Sequence, residues 1–363
     1  MASETSPSGI FEWINANTRP RLSDSATLRF ERMESQALFG LPEIHRALDP
    51  RQPGDWHHRG LIWDFVLALR GAERVLDIGP GDGWPALCLA PHFKEVVGIE
   101  PGPRRVAVCQ ANAKRMKLRN ARFETMSATA LAFPEASFDG AVAGTAIEQT
   151  PDPARALRET LRVLKPGGVF RMTYEAYDDR IEPVTEAVRL QRDPDHAGGY
   201  LIDYVVSWGG KAEERGYLLE VVPDTPAGER ELALWAERCR ADAFPHRDPR
   251  LERGLAKAIL ELRAAEVRRA RYFRLRHFRT ASLLAALRRT GFIDIRLVLG
   301  GGWPARECAQ ELIQAHRIAA AAPLMEEICR AAGRIGIALE TDRPGHVIAR
   351  KPERQARRAG GAD

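Results

Sequence analysis

Between residues 74 and 175 short apolar runs alternate with amphipathic stretches. Arg74-Val-Leu-Asp-Ile78 and Glu95-Val-Val-Gly-Ile-Glu100 are nearly unbroken apolar segments bounded by turn residues, the pattern of strands buried on both faces. A helix start at Trp84–Pro91, a helix over 104–117, a strand at Ala121–Thr125, a strand at Gly140–Ala143, a helix at Pro153–Leu164 and a strand at Gly168–Tyr174 follow. Strands alternating with helices predict right-handed crossovers and a doubly wound, mostly parallel α/β sheet. Upstream, residues 10–70 read as helical with breaks at Pro20, Gly40–Pro42 and Pro50–Gly54, behind a polar tail at 1–9. The apolar run Leu61–Leu69 keeps helical spacing into the first strand.

The alternation stops at 176. Residues 176–279 read as an α+β insertion containing a hairpin (Tyr200–Trp208, a Gly209-Gly210-Lys211 turn, Gly216–Val222) and helices at about 228–241 and 250–272. The earlier rhythm returns with a helix at Thr280–Arg289, a strand at Phe292–Leu299, helices at 304–321 and 323–335 and a last strand at His346–Arg350. The expected organisation is therefore a tail and helical cap (1–70), a core (71–175), the insertion (176–279), the end of the core fold (280–352) with a helical insert at 304–335, and a basic tail (353–363). Because the insertion begins where strand five ends, it is read either as a substrate lid or as a dimerisation element that would make a homodimer. Tyr200, Tyr204, Trp208 and Tyr217 are read as aromatic surface for either role.

Composition narrows the classes. With 363 residues, 44% hydrophobic and 28% charged, the chain is neither disordered nor a small disulfide scaffold. No run approaches the ~20 apolar residues of a membrane span, and the first residues carry no signal-peptide pattern. The net charge of +5 is spread thinly, whereas a nucleic-acid footprint is usually concentrated. Cys88, Cys109, Cys239, Cys308 and Cys329 are scattered, with no C-x-x-C pair. No zinc spacing appears, no metal is expected, and a reducing cytoplasmic setting is the default.

The chemistry concentrates in Val75-Leu-Asp-Ile-Gly-Pro-Gly-Asp-Gly-Trp84. A glycine-rich turn that follows a strand and opens a helix lets a ligand approach the backbone. The glycines stand at 79, 81 and 83, and the position that a dinucleotide fingerprint reserves for its third glycine is Trp84. No Walker lysine follows. Asp77, two residues before the first glycine, suits an ammonium rather than a phosphate. Glu100 ends the next strand, where a carboxylate can accept from both hydroxyls of a ribose.

Together with Phe133-Pro-Glu-Ala-Ser-Phe-Asp139 and Arg162-Val-Leu-Lys-Pro-Gly-Gly168, these segments resemble class I S-adenosylmethionine-dependent methyltransferases, and within them the subgroup that includes the quinone-biosynthesis C-methyltransferases. The resemblance covers 74–175 well and 280–300 with 346–352 loosely. It implies a seven-stranded Rossmann-like sheet with S-adenosyl-L-methionine as cofactor. Gly79, Gly81 and Gly83 would pass along the methionine part, with Asp77 beneath it near the amino group. Glu100 would hold the ribose, Met126-Ser127-Ala128 would edge the adenine, and Gly144 and Thr145 would wall the methionine moiety. Two positions depart from the pattern. Ser127 stands where relatives often carry an acid, and Gln149 where many carry a histidine, so a base at 149 is unavailable.

The expected reaction is in-line transfer of a methyl group to an oxygen, nitrogen, sulfur or carbon acceptor on a small molecule. Positioning supplies much of such a rate, and a base is needed only for an acceptor that must lose a proton early. Glu148, Gln149 and Tyr174 are candidates for positioning the acceptor, and His57 and His58 for capping it, with a surface turn after Pro53-Gly54 as the plainer reading of the pair. Arg276 belongs to a basic, aromatic stretch, Arg268–Arg279. That stretch could bind RNA, hold an anionic group of a small substrate, or form a solvated helix face paired with Glu261 and Glu266. RNA methylation, and a catalytically silent cofactor-binding or assembly relative, stay open as alternatives.

Overall fold

In the computed structural model of the chain, residues 6–23, 49–178, 184–193, 195–240 and 249–353 are described. In chain order the first elements are α1 (Ile10–Asn17), β1 (Arg21–Leu22), α2 (Pro53–Ala68), β2 (Arg74–Ile78), α3 (Ala86–Leu89), β3 (Glu95–Glu100), α4 (Pro103–Arg115), β4 (Ala121–Thr125), β5 (Phe138–Gly144), α5 (Pro153–Val163) and β6 (Leu164–Thr173). The strands β7 (Thr185–Arg192), β8 (Tyr200–Trp208) and β9 (Glu213–Val221) come next, then α6 (Pro226–Arg240), α7 (Pro249–Leu260) and β10 (Val267–Arg276). The chain continues through α8 (Thr280–Thr290), β11 (Ile293–Leu297), α9 (Gly302–Gln314), α10 (Ile318–Ala338) and β12 (His346–Arg350). It divides into two compact units, one of Met1–Leu38 with Tyr177–His277, the other of Phe39–Ala176 with Phe278–Asp363.

The larger unit carries a seven-stranded sheet in the order β11-β12-β6-β5-β2-β3-β4. It is doubly wound and mostly parallel; β12 alone runs against its neighbours, pairing antiparallel with both β6 and β11. Central strands β2 and β3 are buried along nearly their whole length, which explains their unbroken apolar sequence. The helices start where local chemistry favours it. Pro103 opens α4, whose last turn carries Lys114 and Arg115, matching the helix dipole. Asp152 caps α5 by accepting from the Arg155 N–H at 2.9 Å. Gly291, at φ +107°, ends α8.

Glycines bring α2 against the loop before α9 and against α10. A Cβ at Gly60 would lie 2.2 Å from the Gly301 carbonyl oxygen, and one at Gly333 would lie 2.9 Å from the Asp64 nitrogen. These are backbone obstacles that no rotamer relieves. Gly60→Ala is therefore expected to destabilise the chain by about 1–3 kcal/mol, read as a lowered denaturation midpoint; an unchanged midpoint would show that the helices can part at no cost.

The smaller unit is a five-stranded sheet, β1-β10-β9-β8-β7, antiparallel except for the short β1 beside β10. Three readings of the sequence are corrected here. The helix expected over 250–272 ends at Leu260, and the basic stretch continues as strand β10, so it is not a helix face. Tyr200, Tyr204, Trp208 and Tyr217 do not form a surface. They are buried in the unit's own core with Ile10, Ile14, Leu232 and Trp235, because alternate residues of β8 share one face. Lastly, Pro323 does not begin a helix but lies inside α10. Strand β7 is an element that the sequence pattern did not suggest.

Candidate active site

The parallel strands of the larger unit deliver their carboxyl ends to one edge of the sheet, where ligands of such folds bind. Beyond β2, Gly79, Gly81 and Gly83 take positive φ angles of 72°, 62° and 122°, open only to glycine at little cost. The loop is tied to its neighbours: the Gly79 N–H donates to the Ile99 carbonyl at 2.9 Å, and Asn112 donates to the Asp82 carbonyl at 2.9 Å. A Cβ at Gly144 would lie 2.6 Å from the Trp84 ring, so Gly144 gives that indole its place.

Asp77 is fully buried at the end of β2. One oxygen, Oδ2, accepts from the Ala86 N–H at 2.8 Å; Oδ1 is buried and has no hydrogen-bond partner among the described residues. Burial pushes the carboxyl up to about 8, the nearby Glu100 charge adds to the rise, and the Ala86 N–H opposes it. A buried carboxyl oxygen left without a partner is costly. Glu100 is also buried, and its Oε2 accepts from the Gly81 N–H at 3.3 Å, joining the ends of β2 and β3. Farther along the edge, the Met126 N–H donates to the Glu100 carbonyl at 3.1 Å. The Ser127 hydroxyl lies 2.9 Å from that of Thr129, and Ala128 is buried in the core.

The loops after β2, β5 and β6, with the start of β12 and parts of α2 and α9, line an open cavity of about 540 Å³. His57, His58, Trp84, Thr145 and Tyr174 line it together with Asp82, Trp303 and His346. His57 and His58 lie within α2 and not on a surface turn. His57 sits edge-on to the Trp303 ring, with centroids 5.1 Å apart. Its pKa is lowered, first by burial and then by His58 and Arg306, so it is a neutral imidazole at neutral pH. Tyr174 spans from the cavity to Thr280, its hydroxyl 2.8 Å from the Thr280 hydroxyl.

Glu148 and Gln149 hold the loops of this edge together. Glu148 is buried, and its Oε1 accepts from the Glu175 N–H at 2.8 Å, tying the loop after β5 to the loop after β6. Gln149 donates to the Thr145 carbonyl at 2.7 Å, which holds that turn. Neither lines the cavity. Arg276 is exposed on β10 of the smaller unit.

Sequence reasoning missed Asp82, Trp303 and His346. His346 could have been found from topology. An antiparallel last strand must begin at the edge where the parallel strands end, and His346 pairs with Thr173, the last residue of β6. Behind it lies a fully buried ion pair. Arg171 of β6 reaches Asp64 of α2 through Nε at 3.0 Å and Nη2 at 2.7 Å, and the same Nη2 is 2.9 Å from His346 Nδ1. Among the described residues no group of three or more His, Cys, Asp and Glu side chains could hold a metal, and no helix is long and apolar enough to cross a membrane.

A family model described as "Methyltransferase domain" matches residues 76–172. The uncharacterized methyltransferase YcgJ of Bacillus subtilis is 34% identical over 140 residues, covering 37% of this chain and 55% of that protein. Its crystal structure aligns over 33% of this chain and 51% of that one, with a TM-score of 0.32. The 27-O-demethylrifamycin SV methyltransferase of Amycolatopsis mediterranei is 35% identical over 105 residues, 28% of this chain and 39% of that protein. The chain thus spans about half the length, or less, of these curated relatives. The matched segment holds the glycine loop, Asp77 and Glu100, and supports S-adenosylmethionine as the cofactor.

Proposed function

We propose that the chain transfers a methyl group from S-adenosylmethionine to a small acceptor held in the aromatic cavity. The observation that carries this reading is Asp77: a buried carboxyl group whose Oδ1 has no hydrogen-bond partner among the described residues, set under the glycine loop whose Asp82 and Trp84 line that cavity. The residues suit the cofactor. Asp77 would receive its ammonium, Glu100 its ribose hydroxyls, Gly144 and Thr145 its methionine chain, and Met126-Ser127-Ala128 its adenine. When bound, the cofactor supplies an electrophilic methyl group on a sulfonium. The protein holds the nucleophile in line and excludes water. Trp84, Trp303 and Tyr174 favour a flat acceptor by stacking and apolar contact, and His57, neutral and at the wall, could accept a proton from a hydroxyl acceptor.

The small-molecule reading also draws support from the basic stretch. Arg269 and Arg271 pair with Glu220, and Arg274 pairs with Glu213, so part of its charge is already compensated. The resemblance to quinone C-methyltransferases adds carbon to the candidate acceptor atoms. Calorimetric titration with S-adenosylmethionine and S-adenosylhomocysteine, with NAD as the control, tests the proposal. Micromolar binding of the first two is expected, and its absence in folded protein would overturn the proposal. Glu100→Gln is expected to weaken binding of either about tenfold, through the loss of charge-assisted hydrogen bonds; an unchanged affinity would remove Glu100 from the ribose site.

A further inference from the structure

We infer that His346 is a fixed hydrogen-bond donor that selects, within the cavity, acceptors carrying a carbonyl or similar oxygen. The inference rests on the cavity being the methyl-acceptor site. Arg171 Nη2 lies 2.9 Å from His346 Nδ1, and a guanidinium can only donate. Nδ1 is therefore the accepting nitrogen, and the one proton of the neutral ring sits on Nε2.

The groups behind the ring hold this arrangement. Arg171 is held by both oxygens of Asp64 and by the Met172 carbonyl at 2.5 Å, all of them buried. Asp64 also accepts from the Gly301 N–H at 3.1 Å. The ring itself lies over Gly300, where a Cβ would be 2.7 Å from Cε1. Protonation would drive an N–H against the guanidinium. Burial first, then Arg171 and His57, accordingly push His346 down to about 3, with Asp64 opposing. The charged and titratable groups acting on the ring or sharing its cavity are thus Arg171 from β6, Asp64, His57 and His58 from α2, Asp82 from the glycine loop and Tyr174 after β6.

Nε2 has no hydrogen-bond partner among the described residues and is not a buried atom, while the ring lines the cavity. His346 therefore offers the cavity an N–H and no lone pair. It cannot serve as a base at neutral pH, and it disfavours an ammonium at its position. A ligand oxygen completes it. With Trp84, Trp303 and Tyr174 as walls, the fitting class is a flat, conjugated molecule bearing an oxygen acceptor.

The test uses the full chain with ¹⁵N-labelled histidine, the His346 signals being assigned from their loss in His346→Gln. Long-range nitrogen–proton correlation should show Nδ1 unprotonated and Nε2 protonated, unchanged from about pH 5 to 8. The opposite tautomer, or a titration in that range, overturns the donor assignment. The protein is then saturated with S-adenosylhomocysteine and titrated with para-hydroxyacetophenone and with para-ethylphenol, which lacks the carbonyl. The first should shift the Nε2–H signal and the second should not. His346→Leu should weaken the first about tenfold and leave the second within about twofold. Equal binding of the two probes to wild type and variant, or no response at His346 to either, overturns the oxygen contact. His346→Gln, which keeps an N–H donor, should bind better than His346→Leu, separating a lost hydrogen bond from a disturbed wall. Failure to bind S-adenosylhomocysteine in the same samples would instead remove the reading on which the inference stands.

Discussion

Asp77→Ala is expected to weaken S-adenosylmethionine binding by about thirtyfold or more, since truncating one partner of a buried charge pair costs roughly 2–5 kcal/mol. Asp77→Asn should keep the bond to the Ala86 N–H and still lose most of the affinity, which separates charge from packing. The pH dependence has a definite sign. In the free chain Asp77 is pushed up to about 8 from an ordinary 3.8. Below about pH 7 the free protein therefore holds a proton there, and a bound ammonium favours the ionised form. Binding should then release a proton, and affinity should rise as pH climbs toward 8. The stability of the free protein should move the other way. A carboxyl raised by folding contributes stability that is complete below about 4 and is lost as pH rises toward about 8. Calorimetry in two buffers of different ionisation enthalpy counts the proton. A count of zero at pH 6.5, or no change in that count in Asp77→Asn, would separate Asp77 from the ammonium.

Asp64→Ala should be the most damaging single change away from the cofactor loop. Arg171 and Asp64 are both fully buried, and removing one partner strands a charge at a cost of about 3–5 kcal/mol. The Gly301 N–H loses its acceptor as well. Replacing both residues, as in Asp64→Leu with Arg171→Met, should recover most of the stability, because the penalty lies in the unpaired charge and not in the loss of attraction. Denaturant titrations of the three variants decide this. A double variant no more stable than Asp64→Ala would mean that the pair contributes net stability. In either case the double variant frees His346 Nδ1 and should release the tautomer, which the same nitrogen spectra read directly.

The sheet was legible in the sequence because its central strands are buried on both faces, which writes them as apolar runs. The glycine loop was legible because it is local, with its constraints falling on Gly79, Gly81 and Gly83 themselves. The smaller unit was harder to read. In β10, Ala270 and Tyr272 pack on one face while Phe273 and Leu275 join a separate cluster on the other, and the register shifts between Val267 and Arg269. The period of two is blurred, and the arginines between suggest a helix instead. The cavity was the least legible part. His57, Trp303 and His346 lie far apart along the chain, and what gathers them is a buried ion pair and contacts between glycines such as Gly60 and Gly301. Each of those residues is unremarkable in its own neighbourhood.

The place of β12 sets an order of events during synthesis. Strand β6 ends at Thr173, and the strand that covers its open edge begins at His346. At ordinary translation speeds the ribosome needs on the order of ten to thirty seconds to cross that interval. For that time the nascent sheet carries a bare edge, the kind of surface that recruits strange strands, and Arg171 waits for the last strand to bury it. The segments of the smaller unit, by contrast, are all present once His277 has emerged. The interrupting unit can therefore be finished before the one it interrupts, and slow or crowded synthesis should endanger the larger unit first.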